Sequence, residues 1–443
     1  MTRTHLMGAA SAAALVCLST ASAFAAQSGI FGGGSTLAQY DYIAEFSVFN
    51  GATTGATFST YWESGSGAGQ NGLLTDDLSC DINKVTGANS GSCDGGSAQG
   101  QAGNTVDYGA SDATLSSSQI SGWATFTYGQ PAAGDLIQLP SMGVGVSIPV
   151  VNSAITSNGQ LILNDSDLCG VFSGKLTDWS QLTLGKGSGA PASGAISVVV
   201  RSDGSGTTFL LTNHLAYACN SSNSNITFTA TTTFANLFAN STLPTGFTGC
   251  KGSTGVAACL LADSSAIGYL SPDFTSLVTY SGSPSNAPYT GLVVASVLNG
   301  KTAELPTTKA ITTGLAFAKS GQGENLNPPS GKGTGPGELG NPSAYVPLIQ
   351  YTPKGYPIVG YTTYDFAQCY ADATVGAGII AFLTDHYTKS SYTGIQSNNG
   401  FVSLNTSGAN KFLKVIQENI LTNKTKDGYD IDDKTSCAGL PGR

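Results

Sequence analysis

The stretch Arg201-Ser202-Asp203-Gly204-Ser205-Gly206-Thr207-Thr208 gathers one arginine, one carboxylate, two glycines and several hydroxyl side chains in eight residues. An apolar run from Ala195 to Val200 leads in as a strand. Phe209-Leu210-Leu211 and Leu215 lead out at helical spacing. A glycine-flexed turn at a helix N-terminus exposes free backbone N–H groups, and the helix dipole favours an anion there. Arg201 adds a planar fork of donors matched to a tetrahedral oxyanion. An ordinary strand–turn–helix joint capped by Asp203 has the same composition, so the stretch gains meaning from its company.

Three other segments share this chemistry. Gly34-Ser35-Thr36-Leu37 and Gly65-Ser66-Gly67 are glycine turns rich in hydroxyls, and Ser111-Asp112 closes a short strand. Each alone is compatible with plain turn chemistry, and Asp112 alone could cap a helix over residues 113–120. Together, with one cationic side chain among four sites, they describe a small-anion cradle built mainly from dipoles.

The elements that must position these turns alternate between helix and strand, which indicates an α/β body. A helix is predicted over Ala38 to Phe49 and a strand at Thr60-Tyr61-Trp62. Val106 to Asp112 reads as a strand running into a turn. Leu136 to Pro140 and Val144 to Val151 read as a buried double strand. Short strand and helix pieces follow over Leu161 to Phe172 and Trp179 to Leu182. Ile358 to Thr362 starts a final strand, Gly376 to His386 is a helix, and Ala409 to Leu421 is a closing amphipathic helix. Residues 320–344 are Gly/Pro/Asn-rich. Gly331-Lys332-Gly333-Thr334-Gly335 matches neither a dinucleotide fingerprint nor a P-loop, and is read as loop.

Composition bounds the setting. Arg3 and His5, an apolar core over Met7 to Ser19 and the small-x-small pattern Ala23-Phe24-Ala25 form an export signal spanning residues 1–26, with cleavage expected near Ala25/Ala26. A periplasmic or secreted chain is therefore expected. With 18 basic against 27 acidic residues, sequence-tolerant nucleic-acid binding is disfavoured, because that depends on basic surface. Beyond Cys17 the chain holds Cys80, Cys93, Cys169, Cys219, Cys250, Cys259, Cys369 and Cys437. An even count in an exported chain reads as disulfides. Local spacing suggests Cys80–Cys93, Cys169–Cys219, Cys250–Cys259 and Cys369–Cys437. A cysteine-held metal is not expected: no CxxC occurs, and His214 and His386 are the histidines left after the leader.

In these motifs the chain resembles the phosphate-binding proteins of bacterial ABC importers, and more closely their DING-type subgroup. The resemblance rests on Gly32-Gly33-Gly34-Ser35-Thr36-Leu37, Ser64-Gly65-Ser66-Gly67, Val106-Asp107-Tyr108-Gly109-Ala110-Ser111-Asp112 and Arg201-Ser202-Asp203-Gly204-Ser205-Gly206-Thr207. Supporting segments are Leu168 to Lys175, Ile267 to Phe274 and Tyr356 to Gly360. The likeness runs in order over nearly the whole chain after the leader. Leu37 stands where importer proteins often carry Phe, and Ser28-Gly29-Ile30-Phe31 replaces the DING signature.

The resemblance implies an α/β, two-lobed periplasmic-binding-protein (flytrap) fold with two interlobe crossings, near Leu139 to Gly145 and near Tyr351 to Gly360. Lobe I would comprise residues 27–140 and 358–443, and lobe II residues 141–357. Phosphate would lie in the cleft. Thr36 would give a hydroxyl, Leu37 a backbone N–H, and Ser66 its hydroxyl and an N–H. Asp112 would accept a proton from the ligand. Arg201 would donate, held by Asp203, and Ser205, Gly206 and Thr207 would supply a helix N-terminus. No cofactor or metal is implied, and the expected partners are inorganic phosphate and an importer permease, with the protein itself a monomer.

The expected function is therefore capture of inorganic phosphate for uptake. The alternative is a secreted alkaline phosphatase-like phosphomonoesterase, as described for some members of the subgroup. A two-metal phosphatase needs clustered Asp, His and Glu ligands, and a serine nucleophile needs an adjacent base. Two histidines supply neither readily, and His214 lies more than two helical turns beyond Ser205.

Overall fold

The computed structural model describes residues 29–81, 105–278 and 291–443, apart from Gln322, Asn423 and Thr425. The expected leader and Cys93 lie outside the described residues. Among the described residues no helix is long and apolar enough to cross a membrane.

The first half of one lobe runs β1 (Gly29–Ile30), β2 (Gly32–Gly34), α1 (Gln39–Ala52), β3 (Thr57–Phe58), α2 (Ser66–Thr75), β4 (Tyr108–Ser111), α3 (Ser117–Trp123), α4 (Gln130–Ala133) and β5 (Leu136–Gly145). The chain then builds β6 (Ile148–Val151), β7 (Ile162–Leu163), α5 (Asp165–Phe172), β8 (Ser197–Arg201), α6 (Gly206–Ala218), β9 (Phe247–Cys250), α7 (Gly252–Leu261), β10 (Ala266–Ile267), β11 (Val293–Asn299), β12 (Thr302–Glu304) and α8 (Thr308–Phe317). It returns as β13 (Val359–Ala367), α9 (Ala373–Thr388), α10 (Ser390–Asn398), β14 (Val402–Ser403) and α11 (Leu413–Ile416).

Two mixed sheets result. One has the order β14-β5-β13-β4-β2, and the other β12-β11-β6-β10-β8-β9 with β7 on β11. Every residue of β5 and β13 is buried, including the polar Gln138, Ser141, Thr362, Thr363 and Asp365. Gln138 Nε2–H donates to Asp365 Oδ1 at 2.7 Å, as buried polar groups require. An aromatic core lies beside the first sheet. Phe46 stacks on Phe58 with ring centroids 4.0 Å apart, and Tyr42 meets Tyr364 at 4.6 Å. Such pairs add to what area burial alone contributes. Helix α2 lies directly on the backbone of β2 and β4. A Cβ on Gly69 would meet Gly33 O at 2.6 Å, and one on Gly109 would meet Gly69 O at 2.6 Å. This close approach fixes where α2 begins.

The chain passes between the sheets twice, side by side. Strand β5 stays in the first sheet through Gly145, opposite Val359, so the first crossing falls at Val146 and Ser147, just beyond the expected stretch. Val146 N–H donates to Ile358 O at 2.9 Å, and Tyr356 Oη–H donates to Val146 O at 2.6 Å. Part of the chain between the crossings reaches back over the first sheet. A Cβ on Gly145 would touch Ile311 of α8 at 3.0 Å, and residues 339–345 line a crevice with Leu136 and Ile137.

Local expectations fare unevenly. The predicted strand at Thr60-Tyr61-Trp62 forms instead at Thr57–Phe58, with Trp62 making one bridge to Gly33. The closing helix does not start at Ala409. Gly408, at φ 96°, turns the chain against Thr312 and Ala316 of α8, and regular helix begins at Leu413. The disulfides Cys169–Cys219, Cys250–Cys259 and Cys369–Cys437 form as spaced. Cys80 is also disulfide-bonded.

Candidate functional site

Four helices begin at one place between the two sheets. The chain after β2 enters α1 through Ser35 to Ala38, and Gly65 opens α2. Across the cleft Ser205 opens α6 after β8, and the chain after β9 enters α7 at Gly252. The site therefore lies at the carboxyl ends of parallel strands, where open α/β sheets place their ligands. Gly65 has φ 106°, a conformation that glycine adopts without strain. A Cβ there would meet Asp203 Oδ2 at 2.7 Å, so glycine also admits the opposing lobe.

Arg201 ends β8 and is 3% exposed. Its Nε–H and Nη2–H donate to the two oxygens of Asp203 at 2.7 and 2.5 Å. Gly252 N–H donates to the same carboxylate at 3.0 Å. Burial would raise the Asp203 pKa, but the arginine charge, its hydrogen bonds and the Gly252 N–H hold it below the ordinary carboxylate range. The guanidinium is thus aimed, and the rest of its donor fork remains for a second anion. Arg201 N–H donates to Tyr269 Oη at 2.9 Å, and Tyr269 Oη pairs with Thr208 Oγ1 at 2.7 Å. Burial pushes the Tyr269 hydroxyl up to about 12, so it stays protonated.

The cap of α6 is Ser205, not Asp203. Ser205 Oγ accepts Thr208 N–H at 3.1 Å. That leaves the Gly206 and Thr207 N–H groups in the first turn without an intrahelical partner. Thr207 Oγ1 is buried and makes no hydrogen bond. A buried hydroxyl with no partner costs free energy, and this one lies in the first turn of α6, at the helix start that faces Asp112.

Asp112 faces α6 from the first lobe. A Cβ on Gly206 would meet Asp112 Oδ2 at 2.6 Å. Ser35 Oγ–H donates to Asp112 Oδ1 at 2.7 Å, and Ser66 Oγ–H donates to Oδ2 at 3.2 Å. Ser66 Oγ accepts Asp112 N–H at 3.2 Å. Burial raises the Asp112 pKa to about 6, against the two serine hydrogen bonds and the Arg201 charge. It does not cap the following helix, because Ser116 caps α3.

Thr36 Oγ1 lies 3.0 Å from Ser253 Oγ of the opposite lobe and accepts Ser253 N–H at 3.1 Å. Leu37 directs its N–H to Ser35 Oγ at 3.1 Å, within the turn that opens α1. Its carbonyl accepts the Ser271 hydroxyl from across the cleft at 3.0 Å. Gly67 N–H donates to Gly204 O at 3.1 Å. The structure thus brings Thr36, Leu37, Ser66, Asp112, Arg201, Asp203, Ser205, Gly206 and Thr207 to one cleft.

Sequence reasoning did not single out Gly252 or Ser253, Ser35 entered only as part of its glycine turn, and Tyr269 and Ser271 only within a supporting segment. A signal existed for two of them. Cys250-Lys251-Gly252-Ser253 repeats the strand, glycine, hydroxyl and helix order of the Arg201 stretch. Neither histidine lies beside the cleft serines. His214 pairs with Asp165 at 3.0 Å, and His386 sits in the core against Glu45 at 2.6 Å. Among the described residues no group of three or more His, Cys, Asp or Glu side chains could hold a metal ion.

The family model of the PBP superfamily domain matches residues 19–327. The chain is 34% identical to "Alkaline phosphatase L" of Pseudomonas aeruginosa, over 82% of this chain and 81% of that protein. It is also 34% identical to a "Phosphate-binding protein" from an unknown prokaryotic organism, over 68% of this chain and 77% of that one. Among solved structures it is similar to a high-affinity periplasmic phosphate-binding protein of DING type bound with phosphate. The TM-score is 0.71 at 31% identity, covering 94% of this chain and 99% of the other. With a two-lobed fold, four helix starts at one cleft and these relatives, the chain belongs to the PBP superfamily and stands with its DING-type phosphate-binding proteins.

Proposed function

We propose that this protein captures inorganic phosphate in the cleft between its lobes, for uptake through a membrane importer. One observation carries the reading. The Asp203-held guanidinium of Arg201 and the first turn of α6 face a buried carboxylate, Asp112, across the cleft. Cationic fork and helix dipole suit an anion, and the carboxylate suits an anion that still carries a proton. The related protein solved with phosphate bound supports the same ligand. In this reading Thr36 and Ser66 contribute from lobe I, and Arg201, Ser205, Gly206 and Thr207 from lobe II. Leu37 N–H, now on Ser35 Oγ, lies in the same turn as Thr36 and completes the lobe I set.

The first lobe runs through Gly145, the end of β5, and resumes at Val359, so the expected boundary at residue 140 shifts to the end of that strand. The second lobe lies between, with 308–317 and 339–345 lying over the first lobe's sheet. The protein works in the periplasm or outside the cell, after removal of a leader near Ala25/Ala26. The phosphomonoesterase reading rests on the relatives named alkaline phosphatase. The site favours it less, since both histidines are paired elsewhere.

Calorimetric titration of phosphate into the dialysed mature protein, with sulfate as competitor, tests the proposal. Micromolar or tighter binding, about −8 kcal/mol or better, that resists sulfate and weakens at least tenfold in Arg201→Ala is expected. No heat, or binding unchanged in Arg201→Ala, refutes it.

A further inference from the structure

The turn that opens α7 is joined to both halves of the site. Gly252 has φ 68°, which lets the chain bend sharply after Lys251. Its N–H reaches Asp203, the partner of Arg201, at 3.0 Å. The next residue, Ser253, is 1% exposed and crosses the cleft to Thr36, itself 3% exposed. Ser253 presents two groups to one hydroxyl: its N–H at 3.1 Å and its Oγ at 3.0 Å from Thr36 Oγ1.

A threonine hydroxyl has one proton and two acceptor lone pairs. When Ser253 Oγ–H donates, both lone pairs of Thr36 are filled from the same side. The Thr36 proton then has no acceptor on Ser253 and must point elsewhere, which in this cleft is toward the anion. We propose that Ser253 is a positioning residue that turns Thr36 into an obligate donor to the bound tetrahedral oxyanion, and does so only when the two lobes meet. Ser253 belongs to the second lobe and Thr36 to the first, so the donor is completed by closure itself. The inference rests on the phosphate reading of the same cleft.

A double-mutant cycle read by calorimetry tests it, with inorganic phosphate as the probe and the mature protein as wild type, Ser253→Ala, Thr36→Val and both together. Loss of a buried, oriented donor is worth roughly tenfold in affinity. Each single variant should therefore weaken phosphate binding about tenfold, and the pair should be no weaker than Thr36→Val alone. Stopped-flow mixing should assign the Ser253→Ala loss to faster release, with association little changed, because the contact forms after encounter. Ser253→Thr retains the hydroxyl and should stay within about threefold of wild type, which also covers the case in which the alanine variant does not fold. Losses that add in the double variant, or a Ser253→Ala protein that binds as wild type does, overturn the positioning role while leaving phosphate capture intact. A wild-type protein that does not bind phosphate overturns the functional reading and this inference with it.

Discussion

Replacing Asp112 with asparagine should change which anion the cleft accepts more than how tightly it holds phosphate. The carboxylate is buried and receives one hydroxyl on each oxygen, from Ser35 at 2.7 Å and Ser66 at 3.2 Å. Each oxygen keeps acceptor capacity, and its surroundings include Gly206 at the start of α6. Phosphate near neutral pH retains at least one proton that can be donated there. Sulfate retains none, so it sets a lone pair and a negative charge against the carboxylate. A buried polar group left unsatisfied costs on the order of 1–3 kcal/mol, more when charged, or about tenfold to a hundredfold and above in relative affinity. Asparagine keeps one acceptor for Ser35 and replaces the other oxygen with a donor that sulfate can use. The ratio of phosphate to sulfate affinity should fall at least tenfold at pH 8, with a smaller loss for phosphate itself. Calorimetric titration of each anion into both proteins measures this. Because burial holds the Asp112 pKa near 6, the wild type acquires a donor of its own as pH falls through that value. Its sulfate affinity should then rise, while that of Asp112→Asn stays flat. Equal losses for the two anions, or a pH-independent wild-type sulfate affinity, would refute the proton-reading role.

Thr207→Val should weaken phosphate binding about tenfold without lowering the melting temperature of the ligand-free protein, since Thr207 Oγ1 has no hydrogen bond to lose; a destabilised but fully binding variant contradicts the assignment. Removing the Cys169–Cys219 link with paired alanines releases a loop with a sequence separation of 50. On chain-entropy grounds this should cost about 4 kcal/mol in urea unfolding, with phosphate binding retained in the folded fraction. The ligand-free protein should be more stable at pH 5 than at pH 8.5 in thermal unfolding. Burial raises Asp81 and Asp107 to about 7, Asp365 to about 8 and Asp112 to about 6. The folded state therefore holds more protons than the unfolded one above pH ~4, and that stability is lost as pH rises through these values. A melting temperature that increases over the same range would show that these carboxyls ionise without cost.

How far the cleft could be read from the chain depended on how local its chemistry is. The Arg201 stretch is legible because strand end, glycine turn, cap and helix start are consecutive, and Asp203 reaches Arg201 two residues away. Ser35 is not legible as a support of Asp112, because 77 residues separate the two and nothing near either predicts the other. Ser253 was hidden differently. Its glycine–serine turn has the right pattern, but the neighbouring Cys250 and Cys259 account for the segment as a disulfide clip and draw attention from its helix start. Secondary structure failed where tertiary contact overrode propensity. Thr60-Tyr61-Trp62 suits a strand, yet β1 pairs in parallel at Gly29↔Thr57 and Ile30↔Phe58, which moves the strand a few residues earlier. The Gly/Pro-rich stretch gave no sequence signal because its order comes from distant partners. Gly333 N–H donates to Tyr429 Oη at 2.9 Å.

The acidic balance of the chain, −9 overall, bears on how such a cleft can hold an anion at all. Inside the cleft the positive charge of Arg201 is already matched by Asp203, and Asp112 adds a further negative charge. Formal charge therefore opposes a dianion, and the favourable field must come from oriented dipoles. The N-termini of α2, α6 and α7 converge there with N–H groups that have no partner inside their own helices. These dipoles are fixed within each lobe, by the packing of α2 on β2 and β4 and by the strands that deliver α6 and α7, so closure brings them to the anion already oriented. A site of this kind should lose little affinity with rising salt, because screening acts on exposed charge and not on buried dipoles. Phosphate affinity falling steeply between low and moderate sodium chloride, at constant pH, would place the binding on surface charge and remove the basis for the dipole account.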